Sequence, residues 1–411
     1  MTRASARRVH AAMALACCTI ATAASAQDFT VHGYLDVRGG WAGEETGWND
    51  GGLGKTRFGG GDGFASADAA LAARWQVTPA LSASTQVQYL QGQSPSLGVL
   101  DAYLNYRPVS TTPWRWSVKM GAFFPPISEE NTGIGWTSPW TLSPSAVNTW
   151  VGEELRTIGT EARLEHRGET ASVEAIGAVF RSNDPAGELL AARGWALGDF
   201  TAALDARMRE PDVIAPLTGT EPPVRYRPFD EIDGRLGWYA GFAVDAPAHG
   251  KATLLYYDNR ADPASEEAYA GRDVYAWRTR FWSVGGQTRI NDVVLIAQGM
   301  HGSTAFEPVP GLLLDTRFNA GYLLAAWERG AWRPAIRIDA FQLRQLPDRL
   351  SAPLSEHGNA LTIALNWRPV DWMRVTGEWL RVDSRRDQRT LEGLPAHQID
   401  RQVQLSLRLL Y

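Results

Sequence analysis

The chain has 411 residues, with 40 Lys and Arg against 45 Asp and Glu, and a formal net charge of −5 at pH 7. No basic block is present, which excludes the charge pattern that neutralises nucleic-acid phosphates. The two cysteines, Cys17 and Cys18, are adjacent near the start, so the rest of the chain has no disulfide or thiolate metal site. No run of 18 apolar residues follows them, which excludes a transmembrane helix.

The first 26 residues predict a cleaved signal peptide. Three arginines in the first eight residues precede a mostly apolar stretch, and residues 24–26 have the A-x-A form of a cleavage site. We therefore expect an exported protein whose mature chain begins at Gln27. Lipoprotein processing at Cys17 is the alternative, but it would cut the apolar stretch short.

From residue 29 onward, apolar and polar residues alternate in segments of about ten. In the first segment Phe29, Val31 and Leu35 share one face, whereas His32 and Asp36 share the other. Such segments are the signature of a transmembrane β-barrel, apolar toward lipid and polar toward the lumen. A soluble all-β protein alternates in the same way. The number of segments, the export signal and an aromatic C-terminal residue favour the membrane barrel, which would occupy residues 27–411.

We predict sixteen strands, an even number as in single-chain bacterial barrels. They are residues 29–41, 64–77, 81–91, 97–107, 114–124, 156–166, 170–181, 232–245, 251–260, 274–289, 293–304, 316–328, 332–344, 359–368, 372–383 and 399–411. The segment 274–289 is the least regular, because it puts Arg278 and Arg280 on the lipid face unless a bulge shifts its register.

Short and long connections alternate between these strands. Short turns such as residues 78–80 belong on the periplasmic side, whereas long loops such as 42–63, 125–155 and 182–231 belong outside, so both ends of the chain are predicted in the periplasm. Outward-facing aromatic residues beside the short turns are predicted to mark the membrane interface; these are Trp75, Trp114, Trp332, Trp367 and Tyr411.

Two further features predict partners in the membrane. Arg381 and Arg401 face outward near the long-loop ends, where lipopolysaccharide phosphates can pair with them. The last ten residues, QVQLSLRLLY, resemble the C-terminal signal that the barrel-assembly machinery reads in outer-membrane proteins. That resemblance rests on Val403, Leu405, Leu407, Leu409 and Tyr411.

A sixteen-stranded barrel encloses enough space for an aqueous channel. The first strand follows Gln27 closely, so we expect no N-terminal plug domain, and loop 125–155 is the candidate for narrowing the lumen. The alternative is a loop that packs on the outer rim or mediates a subunit contact. The candidate pore-lining residues carry both signs of charge and are Arg115, Lys119, Glu129, Glu130, Glu153, Glu154, Arg163, Arg337 and Asp339. Such a mixture predicts weak ion preference.

Three short motifs carry a resemblance to a known family. HGYLDVR (32–38), LDAYLNYRP (100–108) and KMGAFFPPISEEN (119–131) resemble general bacterial porins, particularly the group similar to the phosphate-selective porins O and P. The resemblance implies a sixteen-stranded homotrimer with an infolded third loop. In the phosphate-selective members, lumenal arginines and a lysine cluster choose anions.

The prediction is therefore an outer-membrane porin for passive diffusion of small hydrophilic solutes and ions. A phosphate- or anion-selective porin is one alternative. A structural or adhesive barrel, with loop 182–231 as its binding arm, is another. Catalysis is not predicted, because the sequence has no G-x-S-x-G motif and no H-x-x-x-H pair. We expect no cofactor and no metal.

Overall fold

The computed structural model describes residues 28–212, 225–269, 272–346 and 355–411. Sixteen antiparallel strands close into one barrel, in chain order. They are β1 (Phe29–Ala42), β2 (Gly63–Gln76), β3 (Leu81–Tyr89), β4 (Leu97–Tyr106), β5 (Trp114–Phe123), β6 (Thr157–Arg167), β7 (Ser172–Arg181), β8 (Gly237–Ala246), β9 (Gly250–Asp258), β10 (Arg278–Ile290), β11 (Val293–Val309), β12 (Leu312–Trp327), β13 (Trp332–Leu346), β14 (Glu356–Val370), β15 (Met373–Arg386) and β16 (His397–Leu410).

The predicted all-β fold and its sixteen strands are confirmed. Two predicted strands begin four or five residues too early. The strand predicted at 232–245 begins at Gly237, because Gly234 turns the chain with a φ of 77°. The strand predicted from residue 274 begins at Arg278, and its pairing shows no bulge, so Arg278 and Arg280 do face outward. The predicted signal peptide lies outside the described residues.

The two faces of the barrel differ as the alternation predicts. On β16, Leu405 is 61% exposed on the outside, whereas its neighbour Gln404 is 3% exposed on the inside. The same contrast recurs around the barrel, and the outer face carries Leu71, Phe242 and Leu323 at more than half exposure. A continuous apolar outer belt of this size is unstable in water and indicates contact with lipid.

The barrel closes where β16 pairs with β1. Leu410 lies opposite Tyr34 in this ladder. The backbone N–H of Tyr411 donates to the carbonyl of Gly33 at 2.9 Å, and the N–H of Gly33 donates back to the carbonyl of Tyr411 at 3.0 Å. The C-terminal residue is therefore part of the seam that removes the free sheet edge.

The wall is taller on one side. Strands β3–β9 have between 9 and 11 residues, whereas β10–β16 have between 13 and 17. Two helices lie in the loops, α1 (Ala146–Glu154) and α2 (Glu188–Arg193), and the Ser145 hydroxyl caps α1 by accepting from the Asn148 N–H. Short 3₁₀ segments cover Trp48–Asp50 and Asp387–Glu392.

Two small ribbons lie apart from the barrel sheet. Met208–Arg209 pairs with Arg225–Tyr226, and Glu266–Tyr269 pairs with Arg272–Tyr275. In the part of the chain that the structure describes, no helix has the length and apolar character needed to cross a membrane.

Candidate pore

Loop 125–155 lies inside the barrel. The guanidinium of Arg337 on β13 is fully buried and donates to the carbonyls of Ser143 at 2.7 Å and Pro144 at 2.9 Å. The Leu142 N–H donates to the Glu378 carboxylate on β15 at 2.6 Å. Hydrogen bonds to inward-facing side chains thus hold the middle of the loop against the tall wall.

The same loop also contacts the opposite, shorter wall. The Gly135 N–H donates to the Gln86 side chain on β3 at 2.9 Å. The Glu129 carboxylate accepts from the Thr253 hydroxyl on β9 at 2.5 Å and lies 3.7 Å from the Lys251 ammonium. The loop therefore crosses the lumen from one wall to the other, which reduces the space available to solutes.

The described part of loop 182–231 also folds inward. All six residues of α2 are buried, and Arg386 on β15 donates to the carbonyls of Ala191 and Ala192 at 2.9 Å each. Further along, the Leu204 N–H donates to the carbonyl of Val99 on β4 at 2.8 Å. This segment thus runs around the inside of the wall from β15 to β4.

Loop 42–63 is hydrogen-bonded to loop 182–231. The Leu197 N–H donates to the Lys55 carbonyl at 2.7 Å, and the buried Lys55 ammonium pairs with Glu356 on β14. Burial lowers the pKa of Lys55 to about 8, although the Glu356 carboxylate acts in the opposite direction. Burial alone would raise the pKa of Asp199. The positive charges of Arg38 and Arg57 outweigh burial and lower that pKa to about 2.

Loops 125–155 and 182–231 share an apolar core with the wall. Trp150 on α1 lies edge-on to Trp195 of loop 182–231, with ring centres 6.0 Å apart, and to Phe281 and Phe318 of the wall at 5.6 and 5.2 Å. All four rings belong to one buried cluster. Packed side chains therefore fill much of the lumen at the long-loop end and narrow the space left for water.

Open polar surface remains near the short turns, on β5–β7. A cavity of about 260 Å³ is lined there by inward-facing side chains, among them Arg115, Lys119, Arg163, Glu165 and Glu174. Glu161 pairs with Lys119 at 3.3 Å and with Arg163 at 2.7 Å, and Arg163 also pairs with Glu174 at 3.2 Å. Arg115 makes no ion pair with any described residue, so its charge is available to a solute.

The nine predicted pore residues fall into two groups. Arg115, Lys119 and Arg163 line the open cavity, and Glu129 lies beside Lys251 across the lumen. The others are fully or almost fully buried in contacts that hold loops; these are Glu130, Glu153, Glu154, Arg337 and Asp339. Glu130 pairs with Arg337 at 3.2 Å, and Glu153 pairs with Arg193.

Loop 125–155 does not supply the carboxylates that neutralise Lys119 and Arg163 on the wall. The carboxylates that pair with Lys119 and Arg163 belong to the wall, because inward positions two residues apart on one strand and opposite each other on adjacent strands are close together. The sequence prediction also gave no role to Glu378 and Gln298, although both bind the loop. The alternation of the strands predicts that both side chains face inward, but it does not predict which loop residues they bind.

A cluster of three carboxylates in the long loops accepts hydrogen bonds from backbone N–H groups. Asp184, Glu231 and Asp233 are the residues, among those described, whose carboxylates lie close enough to hold a metal ion. Asp184 accepts from the Ile232 N–H at 2.6 Å, and Glu231 accepts from the Ser182 N–H at 2.9 Å. These hydrogen bonds indicate that the cluster holds the segments of this loop together.

Comparisons with known proteins give the fold. No family model matches the chain, and no curated protein matches it. The outer membrane channel DcaP of Acinetobacter baumannii is 12% identical, with a TM-score of 0.58 over 93% of this chain and 97% of that one. The fold is that of an outer-membrane barrel. A loop-deletion mutant of the Vibrio cholerae outer membrane protein OmpT is 11% identical, with a TM-score of 0.52 over 93% of this chain and 100% of that one.

Similarity at this level of sequence identity supports the outer-membrane barrel fold and gives no information about the substrate. The finer resemblance to the phosphate-selective porins O and P stays a prediction.

Proposed function

We propose that this chain is an outer-membrane porin that passes small hydrophilic solutes and ions. The observation that carries the proposal is a closed barrel with an apolar outer face and an open, charged inner cavity on β5–β7. An apolar exterior needs a lipid environment, whereas charged inner side chains need water or polar solutes. A channel through which solutes diffuse passively meets both requirements, and it needs no cofactor.

The loops make this a constricted channel. Loop 125–155 crosses the lumen between β3 and β13–β15, and loops 42–63 and 182–231 occupy the long-loop end. The described part of loop 182–231 is largely buried, which is a poor arrangement for the exposed arm of an adhesive barrel. The passage is therefore narrower than the strand number alone suggests.

The charges predict mild selectivity. Glu161, Glu165 and Glu174 balance most of the basic side chains beside them, whereas Arg115 in the same cavity makes no ion pair with a described residue. An uncompensated cation in confined water favours anions weakly. Anion or phosphate specificity is the second candidate function, because Arg115 is a donor with the geometry to bind carboxylate or phosphate.

The test is conductance and reversal potential in planar bilayers under a salt gradient. We expect open-channel conductance with a small anion preference that Arg115→Gln abolishes or reverses. Glu129→Gln should raise the anion preference, because it removes the partner of Lys251. Glu307→Gln, in the β11–β12 hairpin far from the cavity, is the matched control and should leave the reversal potential unchanged.

Two outcomes would decide against the proposal. A barrel that never conducts would favour a structural or adhesive role. Strong anion selectivity with competitive block by phosphate would put the anion-selective porin first.

Targeting and assembly are part of the same proposal. An outer-membrane location, export through the signal peptide and recognition of the C-terminal strand by the barrel-assembly machinery fit a barrel whose last residue closes the wall. The homotrimer is proposed from the resemblance to porins, and chemical cross-linking of the detergent-purified protein tests it. Monomers alone after cross-linking would reject it.

A further inference from the structure

Four arginines form a cluster on the inner face of the tall wall, close to the short turns. They are Arg333 on β13, Arg368 on β14, Arg374 on β15 and Arg408 on β16. Arg374 and Arg408 lie directly opposite each other in the β15–β16 ladder, a position in which like charges repel. In a closed barrel of sixteen strands, β14 lies opposite β6, so this cluster faces the cavity on β5–β7 across the lumen.

The carboxylates beside the cluster are shared with other arginines. Asp36 pairs with Arg408 at 2.6 Å and with Arg38 on its own strand at 3.3 Å. Glu328 pairs with Arg333 at 3.1 Å and also with an arginine on β10. Each of these two carboxylates thus divides its negative charge between two guanidinium groups, and neither pairs with the other two arginines of the cluster.

Arg368 and Arg374 have no counter-charge. Neither makes an ion pair with a residue in the described ranges, although Arg374 is only 5% exposed. The Arg374 guanidinium donates to the Pro139 carbonyl of loop 125–155 at 3.4 Å, and repulsion from Arg368 and Arg408 acts on it. A buried cation without an opposite charge is unfavourable, because it has lost its hydration without gaining a partner.

Unused hydrogen-bond donors point to the kind of group that would complete the cluster. The Nε atoms of Arg333, Arg368 and Arg374 are all buried, and none has a hydrogen-bond partner among the described residues. Guanidinium N–H groups bind the oxygens of carboxylates and tetrahedral oxyanions through paired, charge-assisted hydrogen bonds. The Arg333 side chain at the edge of the cluster is 25% exposed, which leaves a path from the lumen.

We propose that Arg368 and Arg374 bind a divalent oxyanion at the short-turn end of the lumen, with Arg333 and Arg408 at the edge of the site. Two adjacent guanidinium groups without carboxylates match a ligand with two negative charges and several acceptor oxygens. Chloride fits less well, because it has one charge and no separate oxygens. Sulfate, phosphate and small dicarboxylates share the required chemistry. The proposal rests on the proposed function for the route of the solute, since the anion reaches the site through an open lumen.

The experiment is isothermal titration calorimetry of the detergent-purified barrel with sulfate, in a chloride buffer of constant ionic strength. We expect one sulfate site on the wild type. Arg368→Gln and Arg374→Gln should each weaken binding by about tenfold or more, because each removes hydrogen bonds to a charged ligand. Arg167→Gln, which removes a lumen-facing arginine at the same end of the barrel on β6, is the control and should bind sulfate as the wild type does.

Competition identifies the ligand class. Phosphate and succinate should each displace sulfate, whereas acetate at the same concentration should not, because it carries one charge. Stronger displacement by succinate than by phosphate would assign the site to dicarboxylates, and the reverse order would assign it to tetrahedral oxyanions. Selenate soaked into crystals should give an anomalous peak within hydrogen-bond distance of the Arg374 guanidinium.

Equal sulfate binding by the wild type, Arg368→Gln and Arg374→Gln would overturn the proposal, and so would displacement by acetate as strong as by succinate. Heat-modifiable migration on gels shows whether each variant is folded. The Arg368 side chain makes no hydrogen bond to a described residue, so Arg368→Gln remains a test if Arg374→Gln misfolds. Sulfate binding by a barrel that never conducts would reject the porin and keep the site, whereas conductance without sulfate binding would reject the site alone.

Discussion

Arg337 shows how a single side chain can position a whole loop. Its guanidinium binds the Glu130 and Asp339 carboxylates and two carbonyls of loop 125–155, all without exposure to water. A buried ion pair contributes little net stability, but removing one partner leaves an uncompensated buried charge. Loss of Arg337 would therefore leave the Glu130 and Asp339 carboxylates buried without a cation.

Arg337→Gln should destabilise the barrel by about 3 to 5 kcal/mol, because Glu130 and Asp339 lose their common cation. Urea unfolding followed by tryptophan fluorescence measures this change. Arg329→Gln removes an exposed pair with Asp292 and should cost about 1 kcal/mol or less. Equal midpoints for the two variants would show that the buried network does not anchor the loop.

Asp184 gives the long loops a pH dependence. Burial raises its pKa to about 6, although the N–H groups of Ile232 and Asp233 act to lower it. The folded state then keeps a proton that the unfolded chain loses near pH 4, so the contribution of Asp184 to stability is largest below pH 4 and is lost as the pH rises through about 6. The melting temperature should fall across this window less steeply in Asp184→Asn than in the wild type. Parallel curves would reject the assignment.

At the scale of single elements, β16 has two tasks. Its outward residues meet lipid, and its backbone closes the sheet against β1 through the pairs that end at Gly33 and Tyr411. A shift by one residue would turn every outward side chain inward. The alternation read in the last ten residues thus encodes both the membrane face and the register of closure.

Deleting Leu410 together with Tyr411→Ala should lower the yield of folded barrel. The deletion shortens the closing ladder by one residue and shifts the terminal residue to the other face, and the substitution removes the interfacial aromatic ring. Heat-modifiable migration of membrane fractions measures the folded share. Tyr411→Phe is the control, because it keeps the ring, and normal folding of the deletion variant would contradict the prediction.

Gly98 on β4 is the close contact of loop 182–231 with the short wall. A Cβ atom placed there would lie 2.4 Å from the Cβ of Ala203, so Gly98→Leu should push this segment away from the wall. We expect faster proteolysis of the loop in intact barrels. Gly377→Leu, on β15 where a Cβ meets nothing within 4 Å, is the matched control, and equal cleavage of the two would contradict the close packing.

At the scale of the whole molecule, the lumen is divided into a packed part and an open part. Aromatic rings of the loops and wall fill the long-loop end, whereas charged side chains line a cavity near the short turns. Ions must pass both parts in series, and the narrower one dominates the resistance. The loops, rather than the wall, should therefore set the conductance.

Replacing residues 186–227 by a short Gly-Ser linker should raise the single-channel conductance several-fold, because it removes α2 and Trp195 from the lumen. Planar bilayer recordings measure this change. Replacing residues 266–275, which contain the paired segments Glu266–Tyr269 and Arg272–Tyr275 apart from the barrel sheet, is the control and should change conductance little. A shortened loop with wild-type conductance would place the narrowest section elsewhere.

The sequence by itself determined the barrel and its orientation of faces. Alternation with a period of two specifies which residues meet lipid and which meet the lumen, and it does so locally, so all sixteen strands could be predicted before any contact was known. The membrane face of Leu405 and the lumenal face of Gln404 follow from parity alone.

Only the tertiary structure decided what the loops do. Glu129, Glu130 and Glu153 are all buried acidic loop residues. Glu130 pairs with Arg337 and Glu153 pairs with Arg193, which lie 207 and 40 residues away in the chain. No local pattern encodes a partner at such a distance, because the contact depends on how three loops share one lumen. The candidate pore could thus be predicted as a set of inward charges, but not as the division between those that hold loops and those that face water.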